Sequence, residues 1–434
     1  MQRFLRRVAV IGGARIPFCR SNTLYADQTN LDLMTGALNA LVDRYNLKNQ
    51  HIDEVVGGAV ITHSKDFNLT REAVLGTRLK PSTPGITMMQ ACGTSLQGAL
   101  GSAAKIATGD IDCAIAVGSD TTSDAPLTVS KKLAQRLIKL GQQKTFLDKL
   151  KLFKGFSPRE LVPNAPANAE PRTGLSMGQH AELMAQEWNI SRAEQDAFAL
   201  ESHRKAAEAY RSGYMDDLVT PFAGVFRDNN IRADATAEKL ASLKTSFDKT
   251  ERGTLTAANS TPLTDGAAAV LLASEDWATK HGLPVQAYIT YSQTAANDFV
   301  GGDGLLMAPT IAISHMLERA GLTLQDFDFY EIHEAFAAQV LATLKAFEDP
   351  IYCQEVLGRA APMGSIDRAK LNVHGSSIAV GHPFAATGAR ILGNLAHMLS
   401  QHHGRGLISI CTAGGMGVAA ILESKDAAEL HQAA

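Results

Sequence analysis

Short apolar runs alternate along the chain with longer stretches whose apolar residues recur every three or four positions. "RVAVIGG" (7–13) reads as a strand and "DLMTGALNALVDRY" (32–45) as a helix. "IDEVVGGAVI" (52–61) reads as a strand, "SLQGALGSAAKIATG" (95–109) as a helix and "DCAIAVGSD" (112–120) as a buried strand. This alternation predicts an α/β fold in which helices cover a largely buried sheet. The theme returns near the C-terminus, where a helical "TGARILGNLAHMLSQ" (387–401) leads into "RGLISICTAGG" (405–415). Helix, short polar turn, apolar strand and Gly/Ser follow in the same order as in "GALGSAAKIATGDIDCAIAVGSD" (98–120). One repeat at such a long period predicts a duplicated domain rather than a solenoid array. Between about 121 and 255 the pattern breaks: charges and prolines rise, and "VPNAPANAEP" (162–171) is a loop by composition. The closing "SKDAAELHQAA" (424–434) reads as a frayed tail.

Composition narrows the classes. The chain has 434 residues, of which 45% are hydrophobic, enough for two or three cored units. A formal net charge of −3 offers no basic field for nucleic acid. Five cysteines, odd in number and without paired spacing, argue against a disulfide framework or a zinc site and suit a reducing compartment. The basic "MQRFLRR" gives way at once to a predicted strand, too soon for a secretory or transit segment. No run approaches the roughly 18 apolar residues of a membrane span. The expected setting is cytoplasmic.

Four segments carry chemistry. In "QACGTSLQGAL" (90–100), Cys92 stands where a helix begins. Free N–H groups and partial positive charge at a helix N-terminus lower a thiol pKa and favour the nucleophilic thiolate; a small buried core residue is the plain alternative. In "IHEAFAAQ" (332–339), His333 falls at a strand-to-helix junction, a usual position for site residues in α/β folds and also for a packing histidine. In "GSSIAVGHPFAATGAR" (375–390), Gly381 and Gly388 bracket His382 and Pro383. Proline suits a first helical turn, which puts His382, a candidate general base, at the helix entrance. In "ISICTAGGMGVAA" (408–420), Cys411 ends a strand ahead of a glycine-rich turn able to offer backbone N–H groups to an oxyanion. Cys113 lies within a predicted core strand and reads as structural, while Cys19 and Cys353 lack any such setting.

Cys-Gly-Thr-Ser at 92–95, His-Glu-Ala-Phe at 333–336, Gly-His-Pro at 381–383 and Cys-Thr-Ala-Gly-Gly at 411–415, in this order, resemble the thiolases over nearly the whole chain. "STPLTDGAAAVLL" (260–272) looks like that family's loop for the CoA pantetheine, and "TGLSMGQHAE" (173–182) like a loop near its substrate. Length and the segment before residue 173 are most similar to the 3-ketoacyl-CoA thiolase branch of bacterial fatty-acid oxidation and to the β-subunit of the mitochondrial trifunctional enzyme. The resemblance implies two similar βαβαβαββ halves forming a layered αβαβα core, with a large loop domain inserted in the first half. The N-terminal half would comprise 1–120 and 256–280, the loop domain 121–255 and the C-terminal half 281–434. It further implies reverse Claisen cleavage of a 3-ketoacyl-CoA by CoA, a co-substrate, with no bound cofactor or metal. Cys92 would be the acylated nucleophile, His382 its base, Cys411 the acid that protonates the enolate, and His333 an enolate donor where many relatives carry asparagine. The backbone N–H groups of Cys92 and Ala413 would form an oxyanion hole. Arg232 and Phe247 would lie near the adenine end of CoA, and Met177, Thr261 and Phe336 along the pantetheine. An acetyl-CoA acetyltransferase acting on acetoacetyl-CoA shares these motifs; a non-catalytic acyl-CoA or lipid carrier on the same fold is the other alternative. A homodimer or higher assembly and a hydratase/dehydrogenase α-subunit are the implied partners.

One segment stands outside this chemistry. "KKLAQRLIKLGQQKTFLDKLKLFK" (131–154) holds eight Lys/Arg and one Asp, with Leu133, Leu137 and Leu140, and then Phe146, Leu150 and Phe153, at helical spacing. Gly141 is placed to divide it into a helical hairpin. A basic face beside an apolar one suits a peripheral membrane contact or an acidic partner, and equally a helix packed on its own core.

Overall fold

The computed structural model describes residues 5–433. The first half runs β1 (Val8–Arg15), β2 (Cys19–Arg20), α1 (Asn30–Arg44), β3 (Glu54–Gly58), α2 (Leu69–Leu75), β4 (Gly85–Thr87), α3 (Thr94–Thr108) and β5 (Cys113–Asp120). An excursion without strands follows: α4 (Lys131–Gln142), α5 (Phe146–Lys151), α6 (Met177–Glu187), α7 (Arg192–Arg211) and α8 (Ala237–Ala241). The chain then rejoins the sheet through β6 (Thr264–Ser274), followed by α9 (Glu275–Lys280). The second half runs β7 (Ala287–Ala296), α10 (Ala308–Ala320), β8 (Phe329–Ile332), α11 (Ala337–Glu348), α12 (Pro350–Glu355), α13 (Ser377–Val380), α14 (Thr387–Gln401), β9 (Arg405–Thr412), β10 (Met416–Glu423) and α15 (Lys425–Ala433).

The strands hydrogen-bond in the order β4-β3-β5-β6-β1-β7-β10-β9-β8. Leaving aside the two-residue β2, which pairs with β6 off this path, and counting outward from the central β1–β7 pair, each half places its first strand, its last, the one before that, and then its second. The two halves therefore share one topology and meet through the antiparallel register Val8↔Ile289, Ala9↔Tyr288 and Val10↔Ala287. The place beside β8 that β4 occupies beside β3 holds only a bridge between Tyr330 and Leu371.

Side-chain alternation builds the layers. Ala114 and Ala116, Val270 and Leu272, Ile408 and Ile410, and Val418 and Ala420 share one apolar cluster with α3 and α14. Their neighbours Ile115, Val117, Ala269 and Leu271 face α1 and α2, while Leu407, Ala419 and Ile421 face α10 and α11. Helices α3 and α14 thus form a middle layer between two halves of sheet, and α1/α2 and α10/α11 cover the outer faces. Strands covered on both sides read as near-continuous apolar runs, which explains "CAIAV" and, with one buried serine, "ISIC".

Two glycines let the middle layer close. A Cβ on Gly118 would stand 1.9 Å from the Ala385 carbonyl oxygen, and one on Gly388 2.4 Å from the Leu96 nitrogen. The N-terminal turns of α3 and α14 meet at this closest approach. Asp120 ties the same corner: its carboxylate accepts N–H bonds from Val60, Ile61 and Ala385. The excursion is fixed to β1 by a buried bidentate pair, in which Arg15 donates to both oxygens of Asp228 at 2.7 Å and Tyr210 donates to the same carboxylate.

Three local expectations change. Residues 424–434 were expected to fray; Lys425–Ala433 forms α15, with Ala428 buried against the α1 side of the sheet. Gly141 lies inside α4, and the break comes instead at Gln143–Thr145. In 260–272 only the first four residues are loop, because Thr264 onward is the fully buried β6. Of the amphipathic segment, Leu133 is buried, whereas Leu137, Ile138, Phe146, Leu147 and Leu150 are exposed. Among the described residues, no helix is long and apolar enough to cross a membrane.

Candidate active site

Cys92 is set in a strained turn. Ala91 adopts φ +45°, a left-handed conformation unusual for a residue with a side chain. Gly93 and Thr94 donate back to the carbonyls of Gln90 and Ala91, and the Thr94 hydroxyl bridges Ala91 and the Gln90 N–H. Helix α3 starts immediately afterwards, with Gly93 as its cap. The turn aims Sγ across the middle layer at the opposite half.

There Sγ lies 3.1 Å from Nε2 of His382. His382 follows Gly381, whose φ of +107° turns the chain out of α13. Its backbone N–H donates to the Thr264 hydroxyl, and its Nδ1 lies 2.6 Å from Oγ1 of Thr387 in the first turn of α14. In the tautomer in which Nδ1–H donates to Thr387, Nε2 is free to accept from the thiol. Pro383 was expected in the first turn of α14; it instead caps a short 3₁₀ turn, Phe384–Ala386, that precedes the helix.

His333 follows directly on the last residue of β8, its N–H donating to the Ser409 carbonyl of β9. Its ring centroid is 4.2 Å from that of His382. Sγ of Cys92, a ring nitrogen of His382 and one of His333 all lie within 4.8 Å of one another. Cys411 is the penultimate residue of β9, fully buried beside Cys92. The following turn, with positive φ at Gly414 and Gly415, directs the Ala413 N–H at Cys92 Sγ, as does the N–H of Cys92 itself. The first half thus brings Cys92, and the second half His333, His382 and Cys411, to one buried point.

Burial dominates the titration of this cluster. It pushes the Cys92 thiol up to about 12, against the lowering effect of the Ala413 and Cys92 N–H groups. It lowers His382 to about 3, assisted by the Arg390 charge. Desolvation therefore opposes the thiolate expected from a helix N-terminus and favours a neutral thiol beside a neutral imidazole. At pH values below the raised thiol pKa, each pH unit multiplies the thiolate fraction tenfold. Carbamidomethylation of Cys92 by iodoacetamide is therefore expected to accelerate about tenfold per unit from pH 7 to 9. A plateau below pH 8 would show a thiolate already formed.

The residues expected along CoA divide into two groups. Met177, Phe247 and Phe336 join Cys411 in one apolar cluster. The Phe247 and Phe336 rings meet edge-on at 5.9 Å, and Phe247 lies against Gly178. Thr261 donates through both its N–H and its hydroxyl to the Ala335 carbonyl, next to Phe336. Arg232 is placed by other contacts, its N–H donating to Nδ1 of buried His203 on α7.

Supporting residues were the ones missed. Glu170, from the excursion, accepts the Gly414 N–H at 2.9 Å and steadies the glycine-rich turn. Glu334 accepts from Ser202, Asn372 and the Ile378 N–H, which marks it as an anchor of the His333 loop. Thr264, Ser377, Thr387 and Arg390 orient the histidines directly or through one another. All but Glu334 and Glu170 lie in segments whose glycines and prolines carried the sequence signal, and plain hydroxyls beside them gave none.

Comparison with known proteins agrees with this geometry. The family pattern "Thiolase, N-terminal domain" matches residues 8–276 and "Thiolase, C-terminal domain" matches 283–424. Curated proteins named 3-ketoacyl-CoA thiolase, from Shewanella sp. (strain W3-18-1) and Yersinia pestis (strain Pestoides F), are each 43% identical over 96% of this chain and 97% of their own. Among solved structures, human mitochondrial 3-ketoacyl-CoA thiolase superposes with a TM-score of 0.80 at 29% identity, covering 97% of this chain and 100% of that one. The Bacillus anthracis acetyl-CoA acetyltransferase gives 0.81 at 29%, covering 98% and 100%. With both domain patterns spanning most of its length, and with the paired halves and converging cysteines and histidines already in place, the chain belongs to the thiolase family.

Proposed function

We propose that the protein is a 3-ketoacyl-CoA thiolase, an acetyl-CoA C-acyltransferase that cleaves 3-ketoacyl-CoA with CoA to acetyl-CoA and a shortened acyl-CoA in fatty-acid β-oxidation. The observation that carries this reading is the 3.1 Å contact between Cys92 Sγ and His382 Nε2, with Cys411 and His333 beside it. The near full-length identity to proteins of that name favours it over acetoacetyl-CoA synthesis or a carrier role.

His382 takes the Cys92 proton as Sγ attacks the 3-keto carbon. The N–H groups of Cys92 and Ala413 hold the tetrahedral oxyanion. The C2–C3 bond breaks, and its electrons pass into the enolate of acetyl-CoA, whose oxygen takes hydrogen bonds from His382 and His333. The Cys411 thiol protonates C2. Incoming CoA gives its thiol proton to the Cys411 thiolate and attacks the acyl-Cys92 thioester, which restores both cysteines. Sulfur suits this double role, since a thioester to Cys92 exchanges with a thioester to CoA at little energetic difference. The Met177, Phe247 and Phe336 cluster, with Thr261, would line the pantetheine, and Arg232 would lie toward the adenine end.

The test is CoA-dependent loss of the 3-ketoacyl-CoA enolate absorbance with acetoacetyl-CoA and a long-chain substrate. Faster cleavage of the long chain is expected. Preference for acetoacetyl-CoA would move the assignment to the acetyltransferase, and no loss with either would remove it.

The reading extends to assembly. The N-terminal half (1–120 and 256–280), loop domain (121–255) and C-terminal half (281–434) are taken as the working units, supported by the strand-free excursion and shared topology of the halves. The protein is taken as a cytoplasmic homodimer or larger assembly, with a hydratase/dehydrogenase α-subunit as candidate partner. Exposed Leu137, Ile138, Phe146, Leu147 and Leu150 among the lysines of α4 and α5 support a peripheral contact with anionic membranes. Deleting 131–154 is expected to abolish sedimentation with anionic liposomes and leave acetoacetyl-CoA thiolysis intact. Unchanged liposome binding would refute that contact.

A further inference from the structure

The way His333 is held determines which of its nitrogens carries the proton. Nδ1 lies 2.8 Å from Oγ of Ser377. That same oxygen lies 2.9 Å from Nη2 of Arg390, which also reaches Ser376. A guanidinium only donates, so it occupies a lone pair of the Ser377 hydroxyl. Nδ1 is the one acceptor among that hydroxyl's contacts in the described residues, so its single proton points at Nδ1 and makes it the accepting nitrogen. Burial and the neighbouring Arg390 and His382 hold the ring neutral, so its one proton sits on Nε2. Nε2 is buried and has no hydrogen-bond partner. An unpaired buried N–H is costly, and an incoming oxyanion would satisfy it.

Arg390 is itself held in place. Burial lowers its pKa to about 10, which leaves it charged at neutral pH, beside Glu331 and Glu334. Glu331 in turn accepts from Asn394, one turn along α14 from Arg390. A cavity of about 20 Å³, room for one water, borders Arg390 and Asn394. The fixed charge therefore sits at the end of a short line from α14 through Ser377 to His333.

We propose that Ser377 and Arg390 are positioning residues that lock His333 as the Nε2–H tautomer, so that this position donates to the enolate oxygen directly. The proposal rests on the thiolytic reading of the site for its second half only; the tautomer itself is a property of the resting protein.

The test uses full-length protein labelled with ¹⁵N-histidine, with His333 assigned by its disappearance in His333→Asn. Wild type is expected to show an unprotonated Nδ1 and a protonated Nε2. Ser377→Ala is expected to mix the tautomers and lower kcat about tenfold or more with KM for CoA unchanged, and Ser377→Thr, which keeps the hydroxyl, to restore both. In the His333→Asn background, where the amide has no tautomer to set, Ser377→Ala is expected to have almost no effect on kcat. A proton on Nδ1 in the wild type overturns the lock whatever the enzyme's rate. An equal Ser377→Ala effect in both backgrounds overturns the positioning role. A locked Nε2–H whose loss leaves kcat unchanged supports the lock and overturns the donor role of His333.

Discussion

Cys92→Ala is expected to lower CoA-dependent cleavage by about 10⁴-fold or more, because the covalent route has no second nucleophile. Cys411 also carries a thiol, but it ends a strand within an apolar cluster and has no imidazole assigned to take its proton. The substitution removes one sulfur from a turn whose shape is set by backbone bonds and by the Thr94 hydroxyl, so the fold is expected to persist, with an unchanged thermal midpoint. Intact-mass measurement after mixing with acyl-CoA gives the matching readout: a single acyl adduct on the wild type and none on the variant. Cleavage within tenfold of wild type would remove Cys92 from the mechanism.

Cys411→Ala is expected to cost about 10²- to 10⁴-fold, the usual range for a lost general acid. Burial holds the Cys411 thiol well above its ordinary value, so it is protonated at neutral pH and available as a donor. The two cysteines then separate experimentally. Exchange of acetyl-CoA methyl protons with D₂O should vanish in Cys411→Ala, while carbamidomethylation of Cys92 proceeds at the wild-type rate. Retained exchange would assign enolate protonation to another group.

The sequence was most legible where composition was most constrained. Both-face burial makes β5 and β9 near-continuous apolar runs, and α3 and α14 keep a helical period. The four motif segments converge because the halves share a topology and α3 and α14 lie between them. The desolvation that opposes a thiolate at Cys92 was not legible, because a helix start is visible in sequence whereas burial of Cys92 arises from the other half of the chain. Ser377, Thr387 and Arg390 were passed over for a related reason. Their importance lies in which atom each one faces, and spacing alone does not encode that. The fate of residues 424–434 depended on Ala428 finding the α1 side of the sheet, a long-range contact.

The late return of β6 has a consequence for synthesis. β6 fills the space between β1 and β5, yet it follows them only after the whole excursion. On a ribosome adding roughly 5–20 residues per second, on the order of ten seconds pass between the emergence of Cys92 and of β6. Through that interval β1 and β5 each present an unfilled edge and apolar faces awaiting cover, the kind of surface that attracts other nascent chains. His382 and Cys411 emerge later still, so Cys92 is made well before the imidazole it faces. The buried cluster is complete only once Cys411 has emerged, long after the first strands of the sheet it closes.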